Sequence, residues 1–177
     1  MTAHPLPVVL FGAFDRHNFG DMLFAHVAER LLADRRVRFA GLAARDLRAQ
    51  GGHRVEALRQ LHERAVDLLH VGGEILTCDA WEAAVMLQSP ADAQRLIASQ
   101  QHDRFGWAQR VLGIRERAPY VVSKNELPCA ARVLFNAVGG VALDVRDATL
   151  RDEVLAKLAH ADDISVRDLH TQARLAR

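Results

Sequence analysis

The sequence contains little cysteine, and it lacks the long apolar run of a membrane-spanning helix. Two cysteines, Cys78 and Cys129, cannot build the disulfide framework of a small secreted domain. No CxxC, HExxH or GxSxG pattern occurs, so we expect no metal, no cofactor and no serine hydrolase. The longest apolar stretch, residues 6–14, is interrupted by Pro7 and Gly12 and is shorter than the roughly 20 residues that cross a bilayer. These absences predict a cytoplasmic protein without a membrane span.

An excess of charge of either sign is also missing. The 23 basic residues against 22 acidic ones give a net charge of +1, without the clustered basic surface that phosphate-tracking proteins carry. The chain has 177 residues, half of them apolar, which is enough for one sizeable core and too little for two ordinary domains. We therefore expect one domain over residues 1–177 that does not bind nucleic acid.

Short apolar runs alternate with amphipathic segments along most of the chain. The pattern predicts strands at residues 7–14, 37–42, 67–71, 120–122, 132–138 and 164–166, and helices at 21–36, 54–65, 90–101 and 149–160, with a last helix after 168. Such alternation is typical of a doubly wound, mostly parallel, Rossmann-like α/β sheet with helices on both faces. We expect the strands at 7–14, 67–71, 132–138 and 164–166 to be parallel neighbours or near neighbours.

Ligands of open parallel sheets bind outside the carboxyl ends of the strands, where helix N-termini attract anions. The first such loop contains Asn18 and Gly20, which suit a tight turn, and is followed directly by a helix. Its spacing is not GxGxxG, so it supports a dinucleotide site only weakly. Asp21 is interpreted either as the N-cap of that helix or as a residue that contacts substrate.

Two further strand ends carry candidate groups. Gly72 and Gly73 allow a sharp turn, and Glu74 either points to solvent or binds a sugar hydroxyl or acts as a base. Arg167 follows the strand at 164–166 and suits a carboxylate or phosphate, unless it pairs with Asp168 to lock the strand end. We predict that Asp21, Gly72, Glu74 and Arg167 line one crevice.

Two other side chains have simpler interpretations. Cys78 near His70 is better explained as an unreactive thiol than as a nucleophile. Trp81 is interpreted as a packing residue.

Taken in order, three segments resemble motifs of the polysaccharide pyruvyl transferase family. They are Phe11-Gly12 with Asn18-Phe19-Gly20-Asp21, then Val71-Gly72-Gly73-Glu74, then Ile164-Ser165-Val166-Arg167-Asp168. The resemblance extends from residue 8 to the end of the chain. It implies the N-terminal half of a two-domain, glycosyltransferase-B-like fold, with the family's C-terminal domain absent from these 177 residues.

The resemblance also implies a function and a set of site residues. Family members transfer pyruvate from phosphoenolpyruvate to a sugar hydroxyl of a bacterial cell-surface polysaccharide, so the implied partners are phosphoenolpyruvate and a saccharide acceptor. Asp21 and Glu74 are the implied catalytic residues, and the implied substrate-binding residues are Asn18, Gly20, Gly72, Gly73 and Arg167. Because the family closes its site between two domains, we expect this chain alone to bind phosphoenolpyruvate weakly or not at all and to transfer no pyruvate, and a homo-oligomer is compatible with it.

Two alternatives from other classes stay open. A Rossmann-like module that binds a nucleotide or another anionic metabolite predicts stabilisation by nucleotides. A non-catalytic partner domain in polysaccharide assembly predicts an exposed apolar face and no stabilisation by small molecules.

Overall fold

The computed structural model describes residues 5–99 and 102–176, and within them one seven-stranded sheet is flanked by six α-helices. The strands are β1 Val8–Phe11, β2 Val37–Gly41, β3 Arg45–Asp46, β4 Arg54–Ala57, β5 Val66–Val71, β6 Ala130–Val138 and β7 Asp163–Val166. The helices are α1 Phe19–Leu31, α2 Ala80–Met86, α3 Pro90–Ala98, α4 Arg104–Leu112, α5 Ala148–Leu158 and α6 Leu169–Leu175. No helix in these two ranges combines the length and apolarity that a bilayer crossing requires.

The sheet is mostly parallel, with the strand order β3-β4-β2-β1-β5-β6-β7. Only the short edge strand β3 pairs antiparallel, with β4. The four strands that we expected to be parallel neighbours, β1, β5, β6 and β7, are adjacent and parallel in that order. The predicted α/β class and mostly parallel sheet are therefore confirmed.

Helices cover both faces because side chains of a strand point alternately to opposite sides. Val8 and Leu10 of β1 belong to a buried cluster with Ala25 of α1. Val9 belongs to the larger cluster, which includes Val154 of α5 and buried residues of α2 and α4. The chain moves from β1 to β2 in one direction and from β5 to β7 in the other, so right-handed crossovers put α1 on the opposite face from α5. The direction of winding changes between β1 and β5.

The helix predicted at residues 54–65 is wrong. That segment forms β4 and a single turn of 3₁₀-helix, Leu58–Gln60. Apolar residues recur there at a helical spacing, but Val55 and Ala57 are buried at the two-residue period of a strand. β4 pairs with β2 through Glu56 and Ala57, and this sheet pairing overrides the helical pattern.

The strand predicted at residues 120–122 is also wrong, because this buried segment joins no strand of the sheet. The backbone N–H of Val122 instead donates to Nε2 of His70 at 3.0 Å. The helix at 149–160 is confirmed as α5, and that at 90–101 as α3, with residues 100 and 101 outside the described part of the chain. The first helix begins at Phe19 and ends at Leu31, earlier at both ends than expected.

Candidate functional site

The loop between β1 and α1 ends in a side-chain cap. Asn18 is the N-cap of α1, and its Oδ1 accepts hydrogen bonds from the backbone N–H groups of Gly20 at 3.0 Å and Asp21 at 3.3 Å. The interpretation of Asp21 as the N-cap is therefore wrong, because it occupies the third helical position. Its carboxylate is thereby available for contacts outside the helix.

Replacing Asn18 with alanine removes the side-chain acceptor that caps α1 and is expected to lower the free energy of unfolding by about 1 kcal/mol. Chemical denaturation of both proteins measures the change. Asn125→Ala is the matched control, because Asn125 is exposed and caps no helix of the described residues. Equal stability of Asn18→Ala and Asn125→Ala would contradict the capping role.

Asp21 is held in place by an arginine from the same loop. Oδ2 of Asp21 accepts from Nε of Arg16 at 3.0 Å and from its Nη2 at 2.8 Å. On the other side, a Cβ added to Gly73 would lie 3.5 Å from Oδ1 of Asp21. The carboxylate of Asp21, in the first turn of α1, therefore lies beside the turn that follows β5.

The turn after β5 requires glycine. Gly72 and Gly73 have φ angles of +61° and +75°, a region that other residues adopt at a cost. A Cβ at Gly72 would lie only 2.4 Å from the ring of Phe24 in α1. These two glycines let the chain turn sharply while α1 packs closely against it.

Glu74 follows β5 and contacts one residue that follows β6 and one that follows β7. Its Oε2 pairs with Nη2 of Arg167 at 2.5 Å, and its Oε1 accepts from the backbone N–H of Val141 at 2.7 Å. Arg167 therefore does not lock the strand end through Asp168, which instead caps α6 by accepting from the N–H of Thr171. Both oxygens of Glu74 have protein partners, which favours a positioning role over a catalytic one.

All the residues that we selected from the sequence thus lie along the carboxyl edge of the sheet, in two neighbouring groups. Asn18, Gly20 and Asp21 start α1, and Asp21 reaches Gly73. Beyond Gly73, Glu74 connects the turn to Arg167.

A cavity of about 670 Å³ opens at this edge, between β1 and β5 where the winding of the sheet reverses. Open α/β sheets bind their ligands at such a point. Its charged and aromatic lining consists of Arg16, Asp21, Glu74, Asp79, Trp81, Glu82, Arg104, Tyr120 and Arg146. Of the four residues that we expected to line one crevice, Asp21 and Glu74 line this cavity, whereas Gly72 and Arg167 do not. Arg167 contributes to it only through Glu74.

Two arginines in the cavity were missed by the sequence analysis. Nη2 of Arg146 pairs with both oxygens of Glu82 at 2.6 and 2.7 Å, whereas its Nε is buried and has no hydrogen-bond partner within residues 5–99 and 102–176. Arg104 lies 5.2 Å from the centre of the Trp81 ring and makes no ion pair with any described residue. Both guanidinium groups have donors left for a ligand.

Arg146 lies in the loop that follows β6, at the same edge of the sheet as the residues selected from the sequence. Arg104 lies in a segment whose periodicity is mixed and gave no usable signal. Trp81, which we interpreted as a packing residue, packs edge-on against Trp107 and also faces the cavity.

Tyr120 and Cys78 line the inner wall of the cavity, and Asp15 is buried beside the hydroxyl of Tyr120. The hydroxyl of Tyr120 donates to Oδ1 of Asp15 at 3.4 Å, and burial raises the pKa of both groups. Burial, reinforced by Glu82, raises the pKa of Cys78 to about 12. This agrees with our interpretation of Cys78 as an unreactive thiol.

The chain was compared with protein-family models, with curated proteins and with solved structures, and none of the three comparisons found a match. The resemblance described above therefore depends on its three motifs.

Proposed function

We propose that this protein is a polysaccharide pyruvyl transferase-like domain that binds phosphoenolpyruvate and a saccharide in the cavity between β1 and β5. The observation that carries the proposal is the convergence of Arg16, Arg104 and Arg146 with Trp81 at the switch point of the sheet. Guanidinium groups bind carboxylate and phosphate, the two anionic groups of phosphoenolpyruvate. A tryptophan face provides an apolar surface beside them. A glycosyltransferase-B-like arrangement of a complete enzyme is part of the same proposal.

The reaction requires two proton movements. Two hydroxyls of the sugar form bonds to C2 of phosphoenolpyruvate, and the C2–O bond to phosphate breaks. One hydroxyl proton is balanced by protonation of the methylene carbon, which becomes a methyl group, and the other leaves with inorganic phosphate. In our proposal Asp21 accepts a hydroxyl proton through Oδ1, because Arg16 holds only Oδ2.

The charges in the cavity predict weak binding. Arg16, Arg104 and Arg146 face four carboxylates, so the lining carries a formal charge of −1 against a highly anionic ligand. Arg16 and Arg146 are already paired with carboxylates, and a ligand has to compete with these pairs. We therefore expect a dissociation constant of about 1 mM, near the weak end of metabolite binding.

A thermal-shift titration tests the proposal. With a dissociation constant of about 1 mM, about 10 mM phosphoenolpyruvate stabilises the folded state by roughly 1.4 kcal/mol, which raises the Tm by roughly 3–5 °C. Phosphate and pyruvate, which each carry one of the two anionic groups, are expected to give smaller shifts. No shift with phosphoenolpyruvate would contradict the proposal.

Variants locate the ligand within the molecule. Arg104→Ala and Arg146→Ala are each expected to weaken phosphoenolpyruvate binding at least about tenfold, because each removes a charged hydrogen-bond donor. Arg167→Ala leaves Glu74 without its cation at the cavity and is expected to weaken binding less. Arg110→Ala is the matched control, since Arg110 is an exposed arginine of α4 like Arg104 but pairs with Asp103 and does not line the cavity. Equal effects of Arg104→Ala and Arg110→Ala would place the ligand elsewhere.

A second candidate function, a non-catalytic partner domain, is favoured by one observation. Phe19, Leu23, Val27 and Leu31 recur every four residues on α1 and are between 47% and 77% exposed. A stripe of this kind is typical of a surface that another protein covers. Self-association that Leu23→Glu abolishes, with no thermal shift by any ligand, would favour this function. Stabilisation by nucleotides alone would instead favour a nucleotide-binding module.

A further inference from the structure

Three potential metal ligands meet on the face of the sheet that carries α1. His26 and Glu29 lie one turn apart on α1, and His53 directly precedes β4. Each offers one ligand atom, and the three atoms lie within 4.8 Å of one another. Nothing in the chain spacing indicates this cluster, because His53 is far from α1 in sequence.

The position of His53 is fixed by packing. Its ring stacks on Phe39 of β2 with a centroid separation of 3.7 Å, and its side chain is 13% exposed. Nε2 is buried, has no hydrogen-bond partner among the residues that the structure describes, and lies 4.0 Å from Oε2 of Glu29. A buried imidazole nitrogen with no partner is uncommon and requires an explanation.

The loop that carries His53 is held against α1 by other contacts. Nε2 of His26 lies 2.8 Å from the carbonyl oxygen of Gly51, within hydrogen-bond distance. If Nε2–H donates to that carbonyl, Nδ1 of His26 keeps its lone pair, as in metal-binding histidines that are oriented by a backbone carbonyl. A Cβ on Gly52 would lie 2.8 Å from the sulfur of Met22 in α1, so the loop approaches the helix closely. These contacts between α1 and the loop before β4 thus hold the three side chains near one another.

We propose that His26, Glu29 and His53 bind a divalent first-row transition metal, with Zn²⁺ as the preferred ion, and that the metal clamps α1 to the loop before β4. Two imidazoles and one carboxylate are a ligand set that Zn²⁺ accepts, with a water in the fourth position. Zinc bonds of about 2.0–2.2 Å require the three ligand atoms to move closer together by about 1 Å. The half-exposed side chain of Glu29 has the freedom to make that movement. The site is independent of the cavity between β1 and β5.

The test uses the whole chain without a polyhistidine tag, freed of metal by a chelator. Isothermal titration with Zn²⁺ is expected to show one site, and addition of Zn²⁺ but not Mg²⁺ is expected to raise the Tm. Substitution with Co²⁺ is expected to give the visible absorption of a low-coordinate nitrogen and oxygen site. Absence of stoichiometric Zn²⁺ binding at about 0.1 mM protein would overturn the proposal.

Two variants at ligand residues and one control test the ligand assignment. His53→Ala and Glu29→Gln are each expected to weaken Zn²⁺ binding at least about tenfold. Glu29→Gln replaces a half-exposed group at constant size, so it is informative even if His53→Ala fails to fold. His62→Ala is the control, because His62 is exposed and lies outside the cluster. If His62→Ala weakens binding as much as Glu29→Gln does, the metal binds elsewhere and the proposal is overturned.

Discussion

Replacing Gly72 with alanine is expected to lower the free energy of unfolding by about 3 kcal/mol. Alanine at a φ of +61° costs about 1–2 kcal/mol in backbone strain. The added Cβ would also lie 2.4 Å from the Phe24 ring, and overpacking of this kind costs about 1–3 kcal/mol more. Urea denaturation of both proteins measures the sum.

A substitution at a second glycine separates the cost of backbone strain from the cost of overpacking. Gly51 has a similar φ of +78°, but a Cβ added there would meet no atom within 4 Å. Gly51→Ala is therefore expected to cost only the backbone strain, about 1 kcal/mol. If Gly51→Ala destabilises the protein as much as Gly72→Ala, close packing of α1 on the turn after β5 contributes nothing measurable.

Acidification from about pH 7 to about pH 5 is expected to cost about 2 kcal/mol of stability through His70 alone. His70 is fully buried, and burial lowers its pKa from 6.5 to about 3. Its Nδ1 lies 3.1 Å from the carbonyl oxygen of Leu134, while Nε2 accepts from the N–H of Val122. The neutral ring satisfies both contacts, whereas a proton on Nε2 would face another donor.

The direction of this change in stability follows from the lowered pKa of His70. Above about pH 6.5 the ring is neutral in both the folded and unfolded states, and the full stability is present. As the pH falls from about 6.5 towards 3, the unfolded state takes up a proton that the folded state does not, so stability is lost. His70→Gln is expected to lose about 2 kcal/mol less than the natural protein between about pH 7 and about pH 5. Identical pH dependence of the two proteins would show that His70 is protonated in the folded state.

The sequence predicted the elements that depend on local pattern. β1 and β5 are short, mostly apolar runs buried on both faces, and such runs indicate parallel strands directly. β4 was misassigned because its four residues also fit a helical spacing, and only pairing with β2 decides between the two. The segment at 120–122 has the apolar composition of a buried strand. Its backbone N–H at Val122, however, donates to Nε2 of His70 and not to a neighbouring strand.

The candidate site was predictable only where it follows a strand. Asp21, Gly73 and Glu74 follow β1 and β5, so the rule of carboxyl strand ends brought them together. Arg104 reaches the cavity from α4, far from any strand end, and only the tertiary packing of α4 against α2 places it there. The sequence also carries no sign that Glu74 pairs with Arg167, because the two residues are 93 positions apart in the chain.

A crystal structure of the protein soaked in phosphoenolpyruvate tests the proposed binding site most directly. We predict that the ligand occupies the cavity between β1 and β5, with its carboxylate or phosphate in hydrogen-bond contact with Arg104 and Arg146 and with Asp21 beside it. Ligand density at another surface, or an empty cavity at a phosphoenolpyruvate concentration that saturates the thermal shift, would contradict the proposed site.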